Sequence, residues 1–204
     1  MSNVLKLAIT GTIGSGKSVV SRIFGILGVP VYDCDSRAKM LMVKDKAIVK
    51  SLKRMFGEEC YDEDGMLNRN YLASCIFLDK ENVKRVNALV HPVVKKDFER
   101  WALEQNSDVV AVETAILYES GMIDAVDKVL VVWADKDTAI RRTMERSGMS
   151  RTQVENRMNN QMSPDELLLL SDYSIYNDGA APVLPEVISL LNQLKSISNF
   201  AVSD

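Results

Sequence analysis

Gly11-Thr12-Ile13-Gly14-Ser15-Gly16-Lys17-Ser18 is the stretch on which the fold turns. The octet fits G-x-x-x-x-G-K-[ST], a loop that wraps phosphate with its own backbone. Glycines let the chain bend so that successive N–H groups point inward at phosphate oxygens. Before it, Val4-Leu5-Lys6-Leu7-Ala8-Ile9-Thr10 is an apolar, β-branched run that reads as a strand. After it, a helix is expected over 17–27, with Val19, Val20, Ile23, Phe24 and Leu27 on one face and Gly28 placed to stop it. That helix adds the positive end of its dipole to the loop. The residues from Gly11 to Val19 are therefore expected to hold a nucleoside triphosphate such as ATP. The Lys17 ammonium should reach the β- and γ-phosphates, and the Ser18 hydroxyl should ligate Mg²⁺.

Working outward, short apolar runs alternate with helical stretches, the pattern of βα units on a parallel sheet. Val29-Pro30-Val31-Tyr32 reads as a second strand. Asp108–Val112 and Lys128–Val132 are continuous apolar runs, as expected of strands covered on both faces, and Asp172–Tyr176 is a fifth. A helix over 183–198 closes the chain. About 75 residues separate the second and third strands, far more than a crossover needs. They read as helices over 36–56, 69–78 and 80–105, the last beginning after Asp79, with turns at Gly57 and Asp62-Glu63-Asp64-Gly65. A second excursion, 136–170, holds two or three helices. Ser150/Gln153 and Ser163-Pro164/Glu166 are capping-box patterns within it, and Ser147-Gly148-Met149 is a turn. The expected organisation is an α/β core (1–35, 106–140 and 171–204) with two inserted helical pieces (36–105 and 141–170), the ones a kinase would use as acceptor region and lid.

Composition removes whole classes. The 204 residues carry 25 Lys+Arg against 28 Asp+Glu, a formal net charge of −3. That balance argues against a nucleic-acid binder, which usually shows a basic excess. No apolar run approaches a membrane span, and the start lacks the basic and apolar regions of a signal peptide. Cys34, Cys60 and Cys75 have no Cys-x-x-Cys spacing and read as free thiols in a reducing cytoplasm.

The octet alone does not separate GTPases, motor ATPases and small-molecule kinases. A GTPase should carry an Asn/Thr-Lys-x-Asp segment, and none exists; the chain is also short for a motor ATPase. A kinase needs an acceptor-binding insertion, a carboxylate near the acceptor hydroxyl and a cationic lid. Asp33 and Asp35, two residues apart at the end of the second strand, supply the carboxylates, with capping of the next helix as their structural alternative. Arg141, Arg142, Arg146, Arg151 and Arg157 lie within 17 residues against Glu145 and Glu155. Arg142 and Arg146 share a helix face and suit a transferring phosphate. A solvated basic helix is the alternative. Three readings stay open here: a kinase of one small metabolite, a kinase of another, or a protein that ATP switches without transfer.

The chain resembles the dephospho-coenzyme A kinase family over essentially its whole length. The resemblance rests on the loop from Ile13 to Ser18, Asp33-Cys34-Asp35, Gly65-Met66-Leu67-Asn68-Arg69, His91-Pro92, the paired Arg142 and Arg146, and Arg157 followed by Gln161. It implies transfer of the ATP γ-phosphate to the ribose 3′-hydroxyl of dephospho-coenzyme A, with Asp33 as the base. It also implies a sheet order of 2-3-1-4-5 and an insertion, 36–105, that binds the coenzyme A portion. On the same basis Asp35, Arg69 and His91 become acceptor contacts; a surface ion pair and a structural histidine are the plainer alternatives for the last two. Asn177, just past the fifth strand, sits where an adenine contact is expected. Three positions depart from the family pattern: Thr12 for Gly, Val19 for Thr, and Glu113-Thr114-Ala115 for Asp-x-Pro.

Overall fold

Five parallel strands lie in the order β2-β3-β1-β4-β5 in the computed structural model, which describes residues 4–77 and 79–200. They are β1 (Leu5–Thr10), β2 (Val31–Asp33), β3 (Val109–Glu113), β4 (Lys128–Trp133) and β5 (Tyr173–Tyr176). The helices are α1 (Lys17–Ile26), α2 (Cys34–Lys44), α3 (Lys46–Phe56), α4 (Arg69–Phe77), α5 (Lys80–Leu103), α6 (Lys136–Ser147), α7 (Arg151–Met158), α8 (Pro164–Leu169) and α9 (Leu184–Phe200). The order inferred from the resemblance holds, and β1 pairs with β3 on one side and β4 on the other.

Strand periodicity explains the layers. Leu5, Leu7 and Ile9 of β1, with Val109 and Ala111 of β3, face α1 and α9, where Val20, Phe24, Val187 and Leu194 are buried. Ala8, Val110 and Val112 point the other way, onto α2, α3 and α5 through Leu41, Ile48, Leu52 and Phe98. Successive residues on one strand thus serve two cores, which requires the unbroken apolar runs seen in β3 and β4. Each large aliphatic or aromatic side chain taken fully out of water there stabilises the fold by roughly 1.5–3 kcal/mol.

One polar knot joins the layers. Asp97 of α5 is buried and accepts from the Tyr32 hydroxyl of β2 at 2.7 Å. It also accepts from Arg37 Nε at 2.9 Å and Nη2 at 2.6 Å, and from Arg100 Nη2 at 2.6 Å. The Arg37 guanidinium sits 5.2 Å from the centre of the Tyr32 ring. The knot therefore grips the chain on both sides of Asp33.

The helix expected over 36–56 is two helices. Asp45 ends α2 with an extended backbone, and its carboxylate accepts from Ala47 and Ile48 N–H to start α3. A short carboxylate that captures its own downstream amides competes with helix continuation. The helix expected over 69–78 runs from Arg69 to Phe77, and its last expected position lies outside the described residues. Both capping boxes form, at Ser150 with Gln153 and at Ser163 with Glu166, so the second excursion carries three helices. The expected boundaries at 35/36 and 140/141 fall inside α2 and α6, so rigid helices rather than linkers join those pieces. Among the described residues no helix is long and apolar enough to cross a membrane.

Candidate active site

β1 ends at Thr10 and the chain turns at once into the octet. Gly14 and Gly16 have left-handed backbones, φ 80° and 94°, which only glycine adopts without strain. Packing demands glycine a second time. A methyl on Gly14 would collide with the Ala139 carbonyl of α6, and one on Gly16 with the side-chain nitrogen of Asn177. Asn177 follows β5, is 8% exposed, and donates from Nδ2 to the Ser15 carbonyl at 3.0 Å. Its own carbonyl accepts from Arg142 Nη1 at 2.7 Å. Asn177 thus braces the loop from behind. Asn177, where an adenine contact is expected, is thus tied to the loop through its side chain.

With the loop held, the amides of Gly14, Gly16, Lys17 and Ser18 have no protein acceptor among the described residues. They open, with the start of α1, into a cleft of about 770 Å³. An N–H cluster at a helix N-terminus is a site for anions. Thr12 is buried, so its side chain turns away from the cleft, and Val19 is 51% exposed at the rim. Gly11 and Ser15 form the inner layer of the loop. Lys17 folds back to donate to the Gly11 carbonyl at 2.7 Å and the Thr12 carbonyl at 3.0 Å. Burial lowers its ammonium to about 8; Glu113 and Asp35 pull it upward, and Arg146 pushes it down again. Arg146 therefore faces the same space as Lys17.

The opposite wall carries carboxylates. Asp33 and Glu113 are register partners at the ends of β2 and β3, and both line the cleft with Asp35, Ser36 and Lys39. Asp33 also caps α2: its Oδ1 accepts from the Asp35 and Ser36 amides at 3.0 and 3.2 Å, and its Oδ2 from the Ser36 hydroxyl at 2.6 Å. Asp33 thus both caps α2 and lines the cleft. The cap fixes the direction in which the carboxylate points. Burial raises the Glu113 carboxyl above its ordinary value, with Lys17 opposing. Cys34, between the two aspartates, is pushed up to about 12 by burial, with Asp35 and Asp33 adding to the shift, so it stays a neutral thiol.

Arg142, Arg146, Arg157, Asn160 and Gln161 form the cationic and polar roof. The other two arginines of 141–157 make surface pairs. Arg141 pairs with Glu145 at 3.6 Å, and Arg151 with Asp137 and Glu155 at 2.7 and 3.1 Å. Oxygen donors in the cleft (Ser18, Asp33, Asp35 and Glu113) suit Mg²⁺, which binds through one or two protein groups plus phosphate and keeps its waters. Among the described residues no group of three or more His, Cys, Asp or Glu side chains is placed to hold a metal ion.

Two expected acceptor contacts lie elsewhere. His91, on α5, lines a second cavity of about 220 Å³ with Cys34, Asn87 and Met122. Asp35 and Thr114 border both spaces, so His91 is one wall away from the cleft. Burial lowers its imidazolium below the ordinary value, keeping it neutral at pH 7. Arg69 opens α4, is exposed, and lines neither space. The segment before it closes on itself through the Tyr61–Leu67 bridge and the Asn68 N–H to Cys60 carbonyl bond at 2.8 Å, which anchors it to the insertion instead. Conversely, Lys39, Glu113, Asn160 and Gln161 reach the cleft without a role expected of them, and Arg157 of the expected lid joins them. Lys39 lies one turn from Asp35 and Ser36 on α2, and Gln161 is four residues after Arg157.

A family model described as dephospho-CoA kinase matches residues 5–182. A dephospho-CoA kinase of Porphyromonas gingivalis is 38% identical over 194 residues, 95% of this chain and 96% of that protein. One of Bacteroides fragilis is 37% identical over 188 residues, covering 92% and 91%. The crystal structure of TT1252 from Thermus thermophilus superposes with a TM-score of 0.82 at 31% identity, over 94% of this chain and 97% of the other.

Proposed function

The chain belongs to the dephospho-CoA kinase family and carries its activity, the last step of coenzyme A synthesis; on that premise we propose how the cleft performs the transfer. ATP is the donor and the ribose 3′-hydroxyl of dephospho-coenzyme A the acceptor. The acceptor oxygen forms a bond to the γ-phosphorus, the bond to the β,γ-bridging oxygen breaks, and ADP leaves. Backbone amides of the loop hold the polyphosphate, and Lys17 follows it from the loop carbonyls onto the β- and γ-phosphates. Asp33, aimed by its own capping bonds, orients the acceptor hydroxyl and takes its proton. A carboxylate is a weak base, but a loose transition state asks mainly for positioning. Arg142 and Arg146 spread the charge of the transferring group, an electrostatic role suited to planar guanidinium. Ser18, with Glu113 or Asp35 in the same cleft, would hold Mg²⁺, which would supply positive charge to offset that of the phosphates.

The helices α2–α5 serve as the acceptor region and α6–α8 as the lid. Asp35, at the border of cleft and second cavity, guides the acceptor between them, and the neutral His91 receives its more apolar part. The three free cysteines suit a cytoplasmic setting.

The observation that carries this reading is that Lys17 and Ser18 face Asp33 across one cleft roofed by Arg142 and Arg146. The test is Asp33→Asn. Asn caps a helix as well as Asp, so the charge is removed while the cap remains. ATP affinity should stay within about twofold and kcat should fall by about 10²-fold or more. Unchanged turnover would remove Asp33 from the mechanism.

A further inference from the structure

Gln161, in the segment between α7 and α8, reaches back to the phosphate loop. Its Oε1 accepts from the Ile13 N–H at 3.0 Å, and its Nε2 donates to the Ala115 carbonyl at 3.4 Å. One carboxamide thus joins three pieces of chain: the third residue of the octet, the turn after β3, and the lid. Neighbouring bonds tie the same two surfaces. The Met162 N–H donates to Glu119 Oε1 at 3.4 Å, and the Tyr118 hydroxyl donates to the Leu170 carbonyl at 3.0 Å.

The bridge is stiff on the lid side. Asn159, Asn160 and Gln161 continue helical-type bonding past the end of α7, to the carbonyls of Glu155, Arg157 and Met158. Fixing Gln161 therefore fixes Arg157, one turn earlier, at the edge of the cleft they both line. The chemistry of the link is specific. Only a side chain with both an acceptor and a donor satisfies an N–H and a carbonyl at once. The Ile13 amide is spent on the lid, while the amides of Gly14, Gly16, Lys17 and Ser18 keep no protein acceptor among the described residues.

We infer that Gln161 is a positioning residue for the terminal phosphate: it docks the lid on the loop in one register and so holds Arg157 where the γ-phosphate ends. The inference rests on the reading above that the lid serves the transferred group. It separates two nucleotides. The loop alone holds a diphosphate, whereas the far end of a triphosphate depends on the lid.

The test is calorimetric titration of Mg-ADP and of a non-hydrolysable Mg-ATP analogue into wild type and Gln161→Met, which keeps length and volume but neither bond. Binding is read without any acceptor, so it stands or falls separately from the Asp33 result. ADP affinity should hold within about twofold, while the triphosphate analogue weakens about tenfold, the worth of one net hydrogen bond. In an Arg157→Met background the same change should cost little more, because the two residues act as one unit. Equal weakening of both nucleotides, no weakening of either, or additive effects with Arg157→Met would each overturn the inference. If Gln161→Met does not fold, Gln161→Glu carries the test. It keeps the acceptor for Ile13, loses the donor to Ala115 and sets a negative charge toward the phosphate, so it must weaken the triphosphate more than the diphosphate.

Discussion

Replacing Asp97 by Ala should cost the protein about 3 kcal/mol, and the structure sets that size. The carboxylate is 5% exposed and accepts four hydrogen bonds from Tyr32, Arg37 and Arg100. Breaking a buried pair by removing one partner costs roughly 3–5 kcal/mol. The low end applies for three reasons. Arg37 is a third exposed and regains water, Arg100 is mostly exposed and contributes little, and the Tyr32 hydroxyl keeps the Val94 carbonyl at 3.3 Å as a second acceptor. For a chain of this length the loss is about 6–12 °C in Tm. Asp97→Asn retains one acceptor and should lose about half as much. The pH dependence has a definite sign. Burial alone would push the Asp97 carboxyl up, but hydrogen bonds from Tyr32 and Arg37 outweigh it and hold the group below its ordinary value. A depressed carboxyl stabilises above its unfolded value, near 3.9, and that stability drains away as pH falls through the folded one. The gap between wild type and Asp97→Asn should therefore be full at pH 7 and shrink below about pH 4. Calorimetric melting across pH 3–7 checks it. A loss under about 2 °C for Asp97→Ala, or a gap that widens in acid, would refute the reasoning.

Lys17 makes nucleotide binding pH-dependent. Its ammonium titrates at about 8 in the free cleft, and polyphosphate favours the charged form. Mg-ATP affinity should fall by up to about tenfold per pH unit above 8, with proton uptake on binding measurable by calorimetry in two buffers; a flat profile would contradict this. Gly16→Ala forces an L-residue to φ 94° against the Asn177 amide. The strain alone is about 1–2 kcal/mol, and nucleotide affinity should drop with it; retained affinity would mean the loop tolerates displacement of its brace. Arg146→Ala should lower kcat about tenfold or more with little change in ATP affinity. Arg151→Ala, which breaks only surface pairs to Asp137 and Glu155, should change neither kcat nor melting temperature.

Much of the fold was legible because its signals are local. Apolar runs at 108–112 and 128–132 declare strands covered on both sides, and Ser163-Pro164 with Glu166 declares a helix start. The break at Asp45 was not legible, because apolar residues keep helical spacing across it and only the competition of one carboxylate for two amides divides the segment. At the site, the octet and the Asp33/Asp35 pair stand on consecutive strands, so position followed from order. The bracing role of Asn177 was not legible for the opposite reason: its bond to Ser15 spans 162 positions and is set by tertiary packing rather than spacing. Gln161 shows the same limit: it pairs with Ile13 across 148 positions, a link that no local pattern encodes.

The central claim, transfer to one hydroxyl of one acceptor, is tested most directly by product analysis. The purified protein is incubated with Mg-ATP and an equimolar panel of dephospho-coenzyme A, adenosine, AMP and shikimate, and the new phosphate is located by tandem mass spectrometry and ³¹P NMR. The account predicts one phosphorylated product, carrying phosphate on the ribose 3′-oxygen of dephospho-coenzyme A, with ADP formed in equal amount. Phosphate at another position, or on another acceptor while dephospho-coenzyme A is left untouched, would contradict it.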